Sequence, residues 1–377
     1  MTTEATPPLA VDGGAPLRAG PYPPAPVFAP AADADPVRAL EAEFAALLGV
    51  TREGSGAGVL AYGSHEAAYA AAMAVAGVTG GEVVVPALLG RPLATAAAAA
   101  GALVVPAEVE TDIAALSARG LARAVSEQTT AVGVAHAFGH PAAMTEILAV
   151  AAERGVPVIE DASDAVGAAY RGRPAGTLGV AAVFALGEGH VLSAGAPGLP
   201  AGLALLVVPD PARAEVARRA LDVAGALDAA RAAVALAELR ALPASLEVRR
   251  QLAWELTFNL RGMRAVVGMP HSRWVHHAYD RYVVRLRGLL WKRPLEETLA
   301  AIRAEGVPCE AACGAPLHLD PEVRAALGDD ERLAVAHFAA SERLPSELIA
   351  IPLHANLTSK DMDDVAQVLR KIERWST

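Results

Sequence analysis

The chain has 377 residues, 53% of them hydrophobic, and a formal net charge of −10. That is enough apolar material for a large core and more than one domain. No concentration of positive charge points to nucleic acid as a partner. The two cysteines, Cys309 and Cys313, are too few for a disulfide framework or an iron–sulfur cluster.

The first residues show no basic segment ahead of an apolar run, so no signal peptide is expected. Ala94–Ala107 is too short to span a bilayer. Leu178–Val208 is broken by Glu188, His190 and several Gly and Pro. A soluble, cytoplasmic chain with no membrane partner is the expectation.

Residues 1–35 are rich in Pro, Ala and Gly and read as an arm lying over a surface. A helix follows over Pro36–Leu48. Strand and helix then alternate. Gly58–Ala61 is a short apolar piece, Ser64–Ala76 reads as a helix, Glu82–Pro86 as a buried strand and Leu93–Ala100 as a helix. Leu103–Pro106 and Ala131–Ala135 are strands on either side of a helix over Ala114–Ser126. A helix over Ala142–Arg154 leads into a strand at Val156–Glu160. Val180–Leu186 and Leu203–Val208 are further strands. This alternation implies crossover connections and a mixed, mostly parallel sheet between helices.

After Pro211 the pattern changes. Residues 212–262 are almost wholly helical. Arg281–Leu286 and Leu348–Pro352 read as strands, Leu295–Glu305 as a helix, and Lys360–Trp375 as a closing amphipathic helix. The expected organisation is an arm over 1–35, a large α/β domain over 36–245, and a smaller α+β domain over 246–377.

Open α/β sheets bind ligands beyond the carboxyl ends of their strands. The loops there carry a series of motifs in a fixed order. They include Gly13-Gly14-Ala15-Pro16-Leu17-Arg18, Gly81-Glu82-Val83-Val84-Val85-Pro86-Ala87 and His136-Ala137-Phe138-Gly139-His140-Pro141. Val158-Ile159-Glu160-Asp161-Ala162 follows, then Tyr170-Arg171-Gly172-Arg173-Pro174-Ala175-Gly176. Later come Ala315-Pro316-Leu317-His318 and Ile351-Pro352-Leu353-His354. Together they resemble the DegT/DnrJ/EryC1/StrS sugar aminotransferases over nearly the whole chain. The resemblance implies the fold type I architecture of pyridoxal phosphate (PLP) enzymes. It does not by itself carry over the chemistry.

In that family an Asp pairs with the pyridinium nitrogen of PLP, and Asp161 stands at its position. The family's Ser-Phe-x-x-x-Lys run falls in Val183–Leu192. Anchoring on Phe184 puts Glu188 at the lysine. Anchoring on the turn at Gly195 puts Ala185 at the phosphate-binding serine and His190 at the lysine, and an insertion before His190 favours this second anchor. The chain has only three lysines, Lys292, Lys360 and Lys371. No ε-amine in the large domain can form an internal aldimine. The family's phosphate-binding Ser-Gly-Thr corresponds to Gly63-Ser64-His65, and the ring-stacking aromatic to Gly90 or its neighbours.

Three readings follow. The first is cofactor-free acid/base chemistry by His190, Glu188 and Asp161 on a sugar, cyclitol or natural-product intermediate. Ser64, His65, Gly90, Asp164, Ala185 and His318 then line the ligand site. The second resembles the sugar 3-dehydratases, with PLP or PMP held non-covalently and His190 as base. The third is a non-catalytic homologue that completes a partner subunit. The leading expectation is no cofactor, with PLP or PMP the alternative. A homodimer is expected, with a heterodimer with an active homologue as its variant. No metal site is expected. His276-His277 reads as a polar surface or a loop facing substrate, and Cys309 and Cys313 as buried or idle thiols.

Overall fold

The computed structural model describes residues 8–50, 58–187, 202–224, 227–327 and 337–377. The chain first lays down α1 (Pro36–Leu48), β1 (Val59–Tyr62), α2 (His65–Ala76), β2 (Glu82–Pro86), α3 (Arg91–Ala99) and β3 (Leu103–Ala107). It continues with α4 (Ala118–Ala124), β4 (Thr129–Ala135), α5 (Met144–Glu153), β5 (Val158–Asp161), β6 (Ala169–Tyr170), β7 (Arg173–Pro174), β8 (Ala181–Leu186) and β9 (Leu203–Val207). Seven of these strands form one sheet in the order β1-β9-β8-β5-β4-β2-β3. β2, β3, β4, β5 and β8 run parallel, whereas β9 is antiparallel to both β8 and β1.

Both faces of this sheet are covered, which is why its central strands read as unbroken apolar runs. On one face Tyr69 and Met73 of α2 and Leu93 of α3 pack on Val83, Val85, Ile159 and Val183. On the other face Leu40 and Phe44 of α1 pack on Phe184 and Leu205, and the Phe44 and Phe184 rings meet edge to face at 4.9 Å.

Two helices, α6 (Pro211–Ala224) and α7 (Ala229–Asn259), lead to the second part. Asp228 caps α7 by accepting the Arg231 N–H at 3.0 Å. α7 carries Pro243 in its interior. The chain then forms β10 (Val266–Gly268), β11 (Val275–His276), β12 (Arg281–Leu286), α8 (Leu295–Ala304) and β13 (Glu310–Ala311). It ends with α9 (Pro321–Leu327), α10 (Ala339–Arg343), β14 (Leu348–Pro352) and α11 (Ser359–Ser376). An antiparallel sheet, β10-β12-β14-β13, packs its apolar face on α8 and α11. A third small sheet, β11-β6-β7, joins the two parts by pairing Val275 with Tyr170. No described helix is long and apolar enough to cross a membrane.

The described part of the arm packs on the C-terminal unit. Leu9 is fully buried there. The Glu305 carboxylate, also fully buried, accepts the N–H of Ala10 at 2.8 Å and of Leu17 at 2.9 Å, and pairs with Lys371 Nζ at 2.7 Å. Arg18 bridges Asp361 and Asp364 of α11, each at 2.8 Å.

Two local features depart from the sequence pattern. α4 is shorter than the helix expected over Ala114–Ser126. Ala114 takes a left-handed φ of 53° and Ser117 supplies the N-cap, so the helix cannot start earlier. His277, expected at a polar surface or facing substrate, is buried and stacks on Tyr279 with ring centroids 3.9 Å apart.

Candidate active site

A cavity of about 680 Å³ opens at the carboxyl ends of β4, β5 and β8. This is where a sheet of this topology leaves a crevice. Asp161 closes β5 in register with Ala135 of β4 and Val183 of β8. Its carboxylate lines the cavity and is otherwise buried.

Asp161 is held from behind. Ser163 Oγ donates to Asp161 Oδ1 at 2.6 Å, and the Ser163 N–H does so at 3.2 Å. The same hydroxyl accepts the Ala185 N–H at 3.0 Å and contacts the Tyr69 hydroxyl at 3.3 Å. Burial raises the Asp161 pKa above the ordinary carboxylate value, against the lowering effect of the Ser163 and Tyr69 hydrogen bonds. Burial and the nearby Asp161 charge push the Tyr69 phenol well above its usual value, so it stays a donor.

The start of α2 forms the next wall. Ser64, expected in the ligand site, does not line the cavity but serves as the N-cap, its Oγ accepting the Ala67 N–H at 3.1 Å. His65, Glu66, Tyr69 and Ala70 face the cavity from one side of the helix. His65 Nε2 lies 3.1 Å from the Leu186 carbonyl oxygen. A carbonyl only accepts, so Nε2 carries the proton and Nδ1 does not while the ring is neutral. A helix N-terminus carries a partial positive charge and favours an anion.

Asp164 also lines the cavity. Its Oδ2 accepts the Phe138 N–H at 3.1 Å, and its Oδ1 lies 3.5 Å from Arg281 Nη2. Ala185 contributes its small side chain to the wall. Gly90 does not line the cavity. It caps α3 at a point where a Cβ would lie 2.2 Å from the Pro86 carbonyl oxygen, and its neighbours Leu89, Arg91 and Pro92 form the wall instead. His318 is buried outside that wall, with Nε2 on Glu342 Oε1 at 3.0 Å. His190 and Glu188 lie outside the described residues.

His136 lines the cavity but is committed elsewhere. Its Nδ1 accepts the Ala142 N–H at 3.1 Å, and its Nε2 donates to Glu160 Oε2 at 2.8 Å. Glu160 also receives the N–H groups of Gly176 at 2.9 Å, Leu178 at 2.7 Å and Gly179 at 2.6 Å. Burial would raise the Glu160 pKa, but the His136 pairing and these backbone donors prevail and lower it. The pair is a fixed brace beneath the loops, with no free proton acceptor.

Tyr69, Ser163 and the Glu160 half of this brace were not among the candidates read from the sequence. Tyr69 sits four residues after His65, so helical spacing from a candidate residue would have reached it. Ser163 follows Asp161 by two, the spacing at which an Asp accepts from the backbone two residues on. Glu160 carried no such signal.

The three lysines are all engaged in the C-terminal part. Lys292 Nζ donates to the Thr377 carbonyl at 2.7 Å, Lys360 pairs with Asp364 at 3.1 Å, and Lys371 holds Glu305. None of them lines the cavity. Cys309 is buried and Cys313 partly so, and burial pushes both thiols up to about 12, which leaves them unreactive at neutral pH. Among the described residues no group of three or more His, Cys, Asp or Glu is placed to hold a metal.

A mostly parallel sheet sandwiched by helices, with an acidic residue at the end of β5 facing a cleft, defines a fold type I PLP-transferase architecture. Solved structures agree. DesI, determined with its TDP-sugar product, superposes with a TM-score of 0.76 at 26% identity, covering 90% of this chain and 84% of that one. The aminotransferase TlmJ from Streptoalloteichus hindustanus also gives 0.76 at 26% identity, covering 92% and 93%. The chain belongs to the DegT/DnrJ/EryC1/StrS aminotransferase family, whose sequence profile matches residues 32–370. It is 31% identical over 340 residues to the L-glutamine:scyllo-inosose aminotransferase of Streptomyces griseus, covering 81% of this chain and 80% of that protein.

This membership corrects one expectation. The leading expectation of no cofactor is overturned, because the family and its structural neighbours are PLP-dependent aminotransferases. The scaffold that presents Asp161 and the α2 terminus to the cleft is intact.

Proposed function

We propose that the cleft before Asp161 binds PLP or PMP without a covalent tether, and that the chain acts there on a keto-sugar or keto-cyclitol. Asp161 carries this reading. It is a buried carboxylate facing a large cavity, and burial raises its pKa. A cationic ring nitrogen placed against it would offset that desolvation. The relatives suit the substrate class, one acting on scyllo-inosose and another seen with a TDP-sugar.

When bound, the cofactor supplies an electron sink for chemistry at the carbon bearing the amine or carbonyl. The chain's own residues do the rest. Asp161 would keep a proton on the pyridine nitrogen. Ser163 and Tyr69 fix the Asp161 carboxylate so that it does not swing away. The N-terminus of α2 would receive the phosphate, and His65 lines the cavity there. The engagement of all three lysines elsewhere supports non-covalent binding. His190, which follows the last residue of β8 by four positions, is assigned the proton transfers that a lysine amine performs in tethered enzymes.

Titration of the purified chain with PLP and with PMP, followed by absorbance, tests the binding. Saturable binding that weakens about ten- to a hundredfold in Asp161→Asn is expected, the scale of a charge-assisted hydrogen bond. Binding of neither compound, or equal binding by the variant, would reject the reading.

A further inference from the structure

A second cavity of about 220 Å³ lies between the arm, α7 and the antiparallel sheet. Glu238, Leu242, Ser245 and Arg249, on successive turns of α7, form one wall. Arg281 of β12 and His354, just beyond β14, face them.

Arg249 is only 8% exposed, yet its Nε and Nη1 have no hydrogen-bond partner. A buried donor without an acceptor loses its hydration with nothing in return, and the loss is larger when the group is charged. Such a group in a folded chain calls for an explanation, and an occupant of the cavity is one. His354 Nδ1, in the facing wall, is also buried without a partner. The charges around the cavity are mixed. Arg249 and Arg281 share it with Glu238, Asp280 and Glu310. A simple anion would satisfy Arg249 but meet three carboxylates. A simple cation would meet two guanidinium groups. A small zwitterion matches both signs.

We propose that this cavity binds a free α-amino acid, its carboxylate on the Arg249 guanidinium and its ammonium group toward Glu238. The site is separate from the cleft but touches it through one residue. Arg281 lines the second cavity, pairs with Asp280 at 2.6 Å, and reaches Asp164 of the cleft wall at 3.5 Å. An occupant that draws on Arg281 therefore alters the charge facing Asp164. The inference does not depend on the cofactor reading.

Calorimetric titration of the full chain, free of cofactor, with L-alanine and L-glutamate tests it. Propionate and ethylammonium serve as probes with one charge each. Saturable binding of an amino acid is expected, at least tenfold tighter than either single-charge probe. Arg249→Gln and Glu238→Gln should each weaken it at least tenfold, and Asp161→Asn should leave it unchanged. Should Arg249→Gln fail to fold, Ser245→Phe fills the cavity from α7 and must abolish binding. No amino-acid binding, equal affinity for propionate, or loss in Asp161→Asn but not in Glu238→Gln would each overturn the proposal.

Discussion

Ser163 Oγ donates to Asp161 Oδ1 at 2.6 Å while accepting the Ala185 N–H of the adjoining strand at 3.0 Å. One hydroxyl thus ties the carboxylate of β5 to the backbone of β8. Ser163→Ala removes the tie and leaves a backbone donor unpaired. PLP or PMP affinity should fall about tenfold, with a stability loss of about 1–2 kcal/mol. A cofactor titration and a denaturant melt read the two effects. Unchanged affinity would show that Asp161 needs no fixing.

The buried His136–Glu160 pair should prove structural. His136→Ala leaves the fully buried Glu160 one donor short and the Ala142 N–H without its acceptor. Destabilisation of about 3 kcal/mol is expected, measured as a lower denaturation midpoint. The Glu160 pKa is lowered in the fold. Its contribution is therefore present above the unfolded value of 4.5 and is lost as pH falls through the folded value. A variant as stable as the parent would contradict the assignment.

Acid should weaken the fold earlier than Glu160 alone predicts. Burial lowers His277 well below 6.5 and His140 to about 4, with His136 and His271 adding repulsion at His140. Both rings bind protons more readily when the chain unfolds. Stability is full above 6.5 and declines as pH falls toward the folded values, by about 1.4 kcal/mol per pH unit for each ring. Chemical melts between pH 7 and pH 5 read the slope. His277→Phe, if it folds, should halve it, and a flat profile for the parent chain would refute the argument.

Lys371 should matter to the arm and not to the cleft. Its Nζ is the cation beside the buried Glu305, which also holds Ala10 and Leu17. Lys371→Met leaves that carboxylate uncompensated, at about 3–5 kcal/mol. Faster proteolysis of the arm with unchanged cofactor binding is expected. Loss of cofactor binding in a folded variant would place this lysine in the site after all.

The central architecture was legible because its signals are local. Glu82–Pro86 and Arg281–Leu286 carry unbroken or patterned apolar runs and form the strands expected of them. Asp161 was legible because a carboxylate ends an apolar strand at the ligand-binding edge of the sheet. The two-residue strands at Ala169–Tyr170, Arg173–Pro174, Val275–His276 and Glu310–Ala311 were not, since two residues make no pattern. The buried Arg249, whose Nε and Nη1 lack hydrogen-bond partners, was invisible for another reason. Its neighbours come from the arm, α7 and the distant β12 and β14. Gly90 illustrates a third limit. Alignment to a stacking aromatic placed it in the site, whereas close backbone approach to Pro86 accounts for the glycine.

Borohydride reduction of the PLP-saturated chain, followed by peptide mass spectrometry, tests the central claim most directly. A cofactor held only by Asp161 and the α2 terminus should be lost on unfolding, leaving unmodified peptides for Lys292, Lys360 and Lys371. Stoichiometric phosphopyridoxyl label on any one of those lysines would contradict the account.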